Sequence, residues 1–268
     1  MNNIKGFILF LSLLFLMPII IGQLPFPNNE HLSAPVQKEQ KLVYASTNPS
    51  PSPNLATTPI EKRILLVFTH SHESYKPIVK ANSGTEANYD EQFNIFSLRQ
   101  QMEQYFLEQG IEAQSLEVDL MAENLAQGKK IAQAYHTARP FIEKAIATEK
   151  YDLIIDFHRD SVGKKGTTLV NGDTSYAKIA FVVGAEHENY RWNLSHSEKL
   201  HAHLNELMPG ISRGVLKKEG EGVNGVYNQD LAKEMILVEL GGIDNTEQEL
   251  TQTLDVLTEA VGKLLTSE

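Results

Sequence analysis

The chain has 268 residues, with 34 acidic against 24 basic side chains and a formal net charge of -10. That balance argues against nucleic acid as a partner, because phosphate binding needs a basic stripe and none is visible. It contains no cysteine, which excludes disulfides and thiolate metal sites together; any metal must be held by His, Asp or Glu.

Residues 1–22 carry one lysine, Lys5, followed by a nearly unbroken apolar run from Gly6 to Ile21, the pattern of a membrane anchor or signal segment. An uncleaved anchor is the expected form, since no clean small-residue cleavage pair follows; Lys5 would then lie on the cytoplasmic side. Residues 23–61 are rich in Pro, Ser, Asn and Thr and bury too little apolar surface to order, so a flexible tether is expected. Residues 62–268 remain as one catalytic domain, a size that suits a single α/β core.

Within that domain the β-branched run Ile64–Phe68 reads as a buried strand, followed by a polar loop through KANSGTEANYDE. Ile95, Leu98, Met102 and Tyr105 recur at helical spacing, with Gly110 as the stop. Ile111–Val118 is a second strand, and Glu123–Glu149 a long helical pattern with Ile131, Ala134, Tyr135 and Ala138 on one face and Pro140 as a point of kinking. Tyr151–Phe157 is a further buried strand. TTLV and KIAFVVG, separated by NGDT, read as a hairpin, and Ser195–Met208 as a helix. The glycine-rich stretch Gly214–Leu231 suggests a site-forming loop; Met235–Leu240 is the last strand. A terminal helix over Thr246–Leu265 opens with the capping-box pair Thr246 and Glu249. Strands alternating with helices imply an α/β fold with a doubly wound, mostly parallel sheet flanked by helices.

Three strand ends carry the chemistry. The first delivers His70 and Glu73 in an H-x-x-E arrangement, the second His158, the third Glu239. Ligands in open α/β sheets collect outside the carboxyl ends of the strands. Two imidazoles and one carboxylate leave an open position, the usual arrangement for catalytic zinc, so His70, Glu73 and His158 are the candidate Zn2+ ligands. Glu239 stands apart from the H-x-x-E cluster and is the candidate general base. Further candidates for substrate contact or support of the ligands are His72, Glu91, Arg159 and Asn228, with Asp156 and Asp160 competing to orient His158. His187, His196, His201 and His203 are expected to face solvent.

The motifs THSHESY at Thr69–Tyr75, DFHRDS at Asp156–Ser161, YNQDL at Tyr227–Leu231 and VELGGIDNT at Val238–Thr246 resemble the stage II sporulation protein P family. The resemblance implies a membrane-anchored peptidoglycan hydrolase with a zinc amidase, phosphorylase/hydrolase-like fold. It implies an N-acetylmuramoyl-L-alanine amidase that removes stem peptides from glycan strands on the extracytoplasmic side of the cell membrane, with other sporulation proteins as partners. The position of His72 is not histidine in the family pattern, which makes it an extra candidate. Other amidases of the broader group place their carboxylate ligand near Glu91, so Glu91 competes with Glu73. A metallocarboxypeptidase-like peptidase and a non-catalytic cell-wall binding module are the alternative readings. The peptidase would need an arginine for a substrate carboxylate, with Arg159, Arg191 and Arg213 as candidates.

Overall fold

The computed structural model describes residues 62–267. The expected anchor at residues 1–22, and the tether at 23–61, lie outside the described residues. Among the described residues, no helix is long and apolar enough to cross a membrane.

The core is a six-stranded sheet flanked by helices. In chain order its strands are β1 (Arg63–Val67), β2 (Glu112–Ser115), β3 (Leu153–Asp160), β6 (Ile179–Gly184), β7 (Ser212–Lys218) and β8 (Met235–Gly242), in spatial order β2-β1-β3-β8-β6-β7. The first four of that order are mutually parallel, β6 runs antiparallel to β8, and β7 runs parallel to β6. The chain leaves β1 towards β2 on one side and returns as β3 on the other. That reversal opens a crevice at the carboxyl ends of β1 and β3.

The two faces of the sheet follow from the period-two alternation of strand side chains. Ile64, Leu66, Ile155, Phe157, Ile236 and Val238 belong to the larger cluster. There they meet helices Arg99–Glu108, Tyr190–Leu207 and Glu247–Thr266. The last of these contributes Leu250, Leu254, Leu257, Val261 and Leu264, a stripe of alternating four- and three-residue spacing that is almost wholly buried. Removing one such side chain, as in Leu257→Ala, typically costs about 2–5 kcal/mol. The alternate residues Leu65, Val67, Ile154 and Met235 pack on the opposite face against Ala138 and Ile142 of the helix Ala134–Thr148. Farther along those same rows the apolar residues give way to Asp156 and His158 on β3 and to Glu239 on β8.

Several local expectations are corrected. The segment read as a polar loop contains a helix, Lys76–Ser83, with Pro77 in its first turn and Gly84 in the left-handed conformation closing it. The long pattern from Glu123 is two helices, Leu120–Ala126 and Ala134–Thr148, with a 3₁₀ turn between. The break comes around Gly128, at φ +68°, and not at Pro140, which sits inside the second helix. Ile131 falls in the connecting turn and is 51% exposed, so it does not join the buried face. The hairpin is formed by β4 (Thr168–Asn171) and β5 (Thr174–Ala177) as a separate sheet; KIAFVVG instead supplies β6 of the main sheet. Its uninterrupted apolar run suits a strand buried on both faces.

Candidate metal centre

The segment after β1 is held on every side. Asp156, fully buried on β3, accepts hydrogen bonds from the Thr69 amide (2.9 Å) and hydroxyl (2.7 Å). A turn closes with the Glu73 amide donating to the His70 carbonyl at 2.9 Å. The carbonyls of His72 and Glu73 accept from the amides of Asp90 and Ile95. Tyr75, wholly buried, donates its hydroxyl to the Leu240 carbonyl at 2.8 Å. Buried polar groups need partners, and here they tie the loop to both β3 and β8.

This framework brings His70, Glu73 and His158 together, each offering one ligand atom within 4.8 Å of the others. His70 Nδ1 lies 3.4 Å from Glu73 Oε1, and His158 Nδ1 lies 3.5 Å from Glu73 Oε2. The same Oε2 accepts the Arg159 amide at 2.9 Å, so the sheet backbone orients the carboxylate. Behind His158, Nε2 lies 3.2 Å from Asp156 Oδ2, whereas Arg159 and Asp160 make no such contact with the ring. Burial opposes ionisation of Glu73, yet contacts with His158 and His70 outweigh it and hold the carboxyl well below the usual range. Burial likewise works against the imidazolium of His158, but Asp156 and Glu73 raise its pKa well above the ordinary value. One buried imidazole nitrogen of the cluster, His70 Nε2, has no hydrogen-bond partner among the described residues. A hard-to-satisfy set of two imidazoles around one carboxylate fits a zinc ion, and the absence of thiolates does not detract from that fit.

Glu239 is the register partner of His158 across β3 and β8. Its Oε2 is buried without a hydrogen bond. Burial is the largest influence on it and, although His158 works the other way, the carboxyl is pushed up to about 7. A cavity of about 810 Å³ is lined by Glu239 and the three candidate ligands, with Tyr135 and Tyr227 as aromatic walls. The Tyr135 ring lies 5.3 Å from that of His70 and stacks on His158 at 6.1 Å. Its helical spacing marked Tyr135 as a core residue; only the topology shows that this core face ends at the site. A second cavity, about 540 Å³, sits at the opposite edge near Tyr151 and Lys233, away from the cluster.

The remaining candidates lie elsewhere. His72 is buried and turns away from the cluster, with Nε2 2.8 Å from Asp119 Oδ2 and its ring against Tyr89. Asp119 also accepts the Ser71 hydroxyl at 2.6 Å and the Ala122 amide at 3.0 Å. Burial opposes its ionisation, but the bonds from His72, Ser71 and Ala122 bring its pKa down to about 2. Glu91 is exposed in the loop before Ile95 and is not in the cluster. Asn228 is buried and donates to the Tyr135 carbonyl at 2.9 Å, while Gln229 bridges the Gly184 amide and the Val182 carbonyl. Asn228 thereby ties the end of the loop to the helix Ala134–Thr148, and Gln229 ties the next residue to β6. Of the four histidines expected in solvent, His196 is buried.

The model of the family described as Stage II sporulation protein P (SpoIIP) matches residues 26–262. The chain belongs to this family. It is 33% identical over 236 residues to Stage II sporulation protein P of Bacillus subtilis (strain 168), covering 88% of the chain and 59% of that relative. The chain thus spans about three fifths of the relative's length. Among solved structures, the CwlD amidase from Clostridioides difficile in complex with the GerS lipoprotein aligns with a TM-score of 0.50 at 12% identity, covering 77% of this chain and 100% of that one. The N-acetylmuramoyl-L-alanine amidase from Clostridium difficile 630 aligns at 0.44 and 11% identity, covering 77% and 95%. The family member shares the amidase fold: a mostly parallel sheet flanked by helices.

Proposed function

We propose that this protein is a zinc-dependent peptidoglycan hydrolase of sporulation, an N-acetylmuramoyl-L-alanine amidase that removes stem peptides from glycan strands. Its catalytic domain would act outside the cell membrane, attached through residues 1–22. The observation that carries the reading is the convergence of His70, Glu73 and His158 beside Glu239 at one sheet edge. Family membership supports the sporulation setting, and the amidase-like fold supports the reaction class.

His70, Glu73 and His158 would hold the ion. Zinc so held supplies Lewis acidity towards an amide carbonyl and towards water. Arg159 steadies Glu73 through its backbone amide, and Asp156 faces the outer nitrogen of His158. Glu239 would accept the proton of the attacking water at Oε2 and hand it to the amine nitrogen leaving with the stem peptide. A carboxyl near pH 7 suits both halves of that transfer. Tyr135 and Tyr227 line the cavity and would limit bulk water around the reacting amide.

The peptidase alternative asks for an arginine free to take a substrate carboxylate. Arg159 is bonded to the Asn88 carbonyl, Arg213 to Asp160, and Arg191 lies over the Tyr190 ring at 6.0 Å. Of the three, Arg159 alone lines the cavity, with its Nε buried and without a hydrogen bond, so it is the arginine the peptidase reading would use. Mass spectrometry of muropeptides released from purified cell wall decides the matter: free stem peptides identify an amidase, shortened stems a peptidase, and no release a binding module.

A further inference from the structure

Lys218 reaches the cavity from the side opposite the histidines. It ends β7 two residues after Leu216, and both line the cavity wall together with Val223 and Asn224 of the following loop. Neighbouring cations are engaged: Arg159 with the Asn88 carbonyl, Arg213 with Asp160, Lys217 with Glu219. Lys218 is half-buried, and its ammonium has no ion pair or hydrogen bond among the described residues. A partly desolvated cation without a partner favours an anionic ligand.

The sheet register sets the distance. Glu239 is opposite Ala180 on β6, and Gly184, four residues farther along β6, is opposite Lys218 on β7. Two strand spacings across and four residues along place the two Cα atoms about 16 Å apart. A lysine stem covers roughly 6 Å of that, which leaves room for about three residues of extended peptide. In a muramoyl peptide the lactyl carboxyl is consumed in the amide bond, so the free carboxylates belong to the peptide arm.

We propose that Lys218 forms a carboxylate-recognising subsite for the peptide arm of the substrate, about three residues from the scissile amide. The assignment rests on the amidase reading for its substrate. Leu216 and Val223 supply the apolar wall for the aliphatic part of the same residue.

The test uses the full chain and two muramoyl-tripeptides, one with a free side-chain carboxylate on the third residue and one with that group amidated. The parent should show a KM about tenfold lower for the free acid, the scale of one charge-assisted contact. Lys218→Gln should bring the ratio of the two KM values to about one, and Lys218→Arg should restore most of it. A ratio near one in the parent, or one that survives in Lys218→Gln, overturns the proposal. Calorimetric titration of the free tripeptide needs no hydrolysis and separates the two readings. If neither substrate is cleaved, the amidase reading falls, while tripeptide binding lost in Lys218→Gln still upholds the subsite. Absent binding, or equal binding by both chains, overturns it.

Discussion

His158 and Glu239 face each other across adjacent parallel strands, so a candidate ligand and a candidate base are spaced by the sheet itself. Strand separation is about 4.8 Å and varies little. The pair is therefore positioned by backbone hydrogen bonds and not by flexible loops, which is the more accurate way to place reacting groups.

Metal stoichiometry is the first expectation. The full chain should bind about one zinc per molecule at neutral pH, as one three-ligand open site requires. Elemental analysis that finds no zinc after reconstitution removes the assignment.

The two glutamates are separable by mutation. Glu73→Ala should weaken zinc binding by at least tenfold, roughly the loss of one coordinating group or its support. Glu91→Ala should leave affinity nearly intact, because Glu91 is exposed and outside the cluster. Competition against a chromogenic chelator reads both constants; the reverse order would move the ligand to Glu91.

Glu239→Gln should retain zinc and lose roughly two to four orders of magnitude in turnover, the range for a positioned general base. The loss should lie in kcat more than in binding to glycan strands. The same variant has a signature independent of activity. Because burial raises this carboxyl from 4.5 to about 7, the folded chain binds the proton more tightly than the unfolded one, and stability falls as pH rises across that window. With chelator present, the Tm of Glu239→Gln relative to the parent should rise by roughly 3 °C or more between pH 4.5 and pH 8. A pH-independent difference would contradict the burial of Oε2.

Asp119→Ala should destabilise the domain by about 1–3 kcal/mol, since it strips partners from His72, Ser71 and the Ala122 amide at once. The Asp119 carboxyl is depressed from 3.8 to about 2, so its contribution is fully present above pH 4 and is lost as pH falls towards 2. Denaturant titrations at pH 7 and pH 2 should therefore show the difference from the parent shrinking at the lower value.

Much of this arrangement was legible in the chain. The buried strands ending at Val67, Asp160 and Gly242 announced themselves as β-branched runs, and the capping box of Thr246 and Glu249 is present as its spacing implied. What the sequence concealed depends on which side of an element meets which neighbour. Tyr135 reads as a core residue until the helix Ala134–Thr148 is laid over the polar end of the sheet face. The helix Lys76–Ser83 escaped because only Ile78 and Val79 in it are buried, too few to make a periodic stripe. β6 was assigned to a hairpin because NGDT is a genuine turn, but its strand partner is the short segment Thr174–Ala177. Lys218 carried no motif at all. Its setting exists only through the pairing of β6 with β7.

The alternation that sets Asp156 and His158 on one side of β3 also makes that strand sensitive to length more than to composition. Conservative exchanges of Ile154 or Ile155 leave the facing pattern intact. Deleting either would shift the rest of the strand by one position, present Arg159 where His158 now stands and turn His158 to the face on which Phe157 packs. Over generations, insertions and deletions should therefore accumulate at places such as the turn Gly172–Asp173 of the separate hairpin and be purged from β3, so gap positions among homologues should outline the site as clearly as invariant residues do.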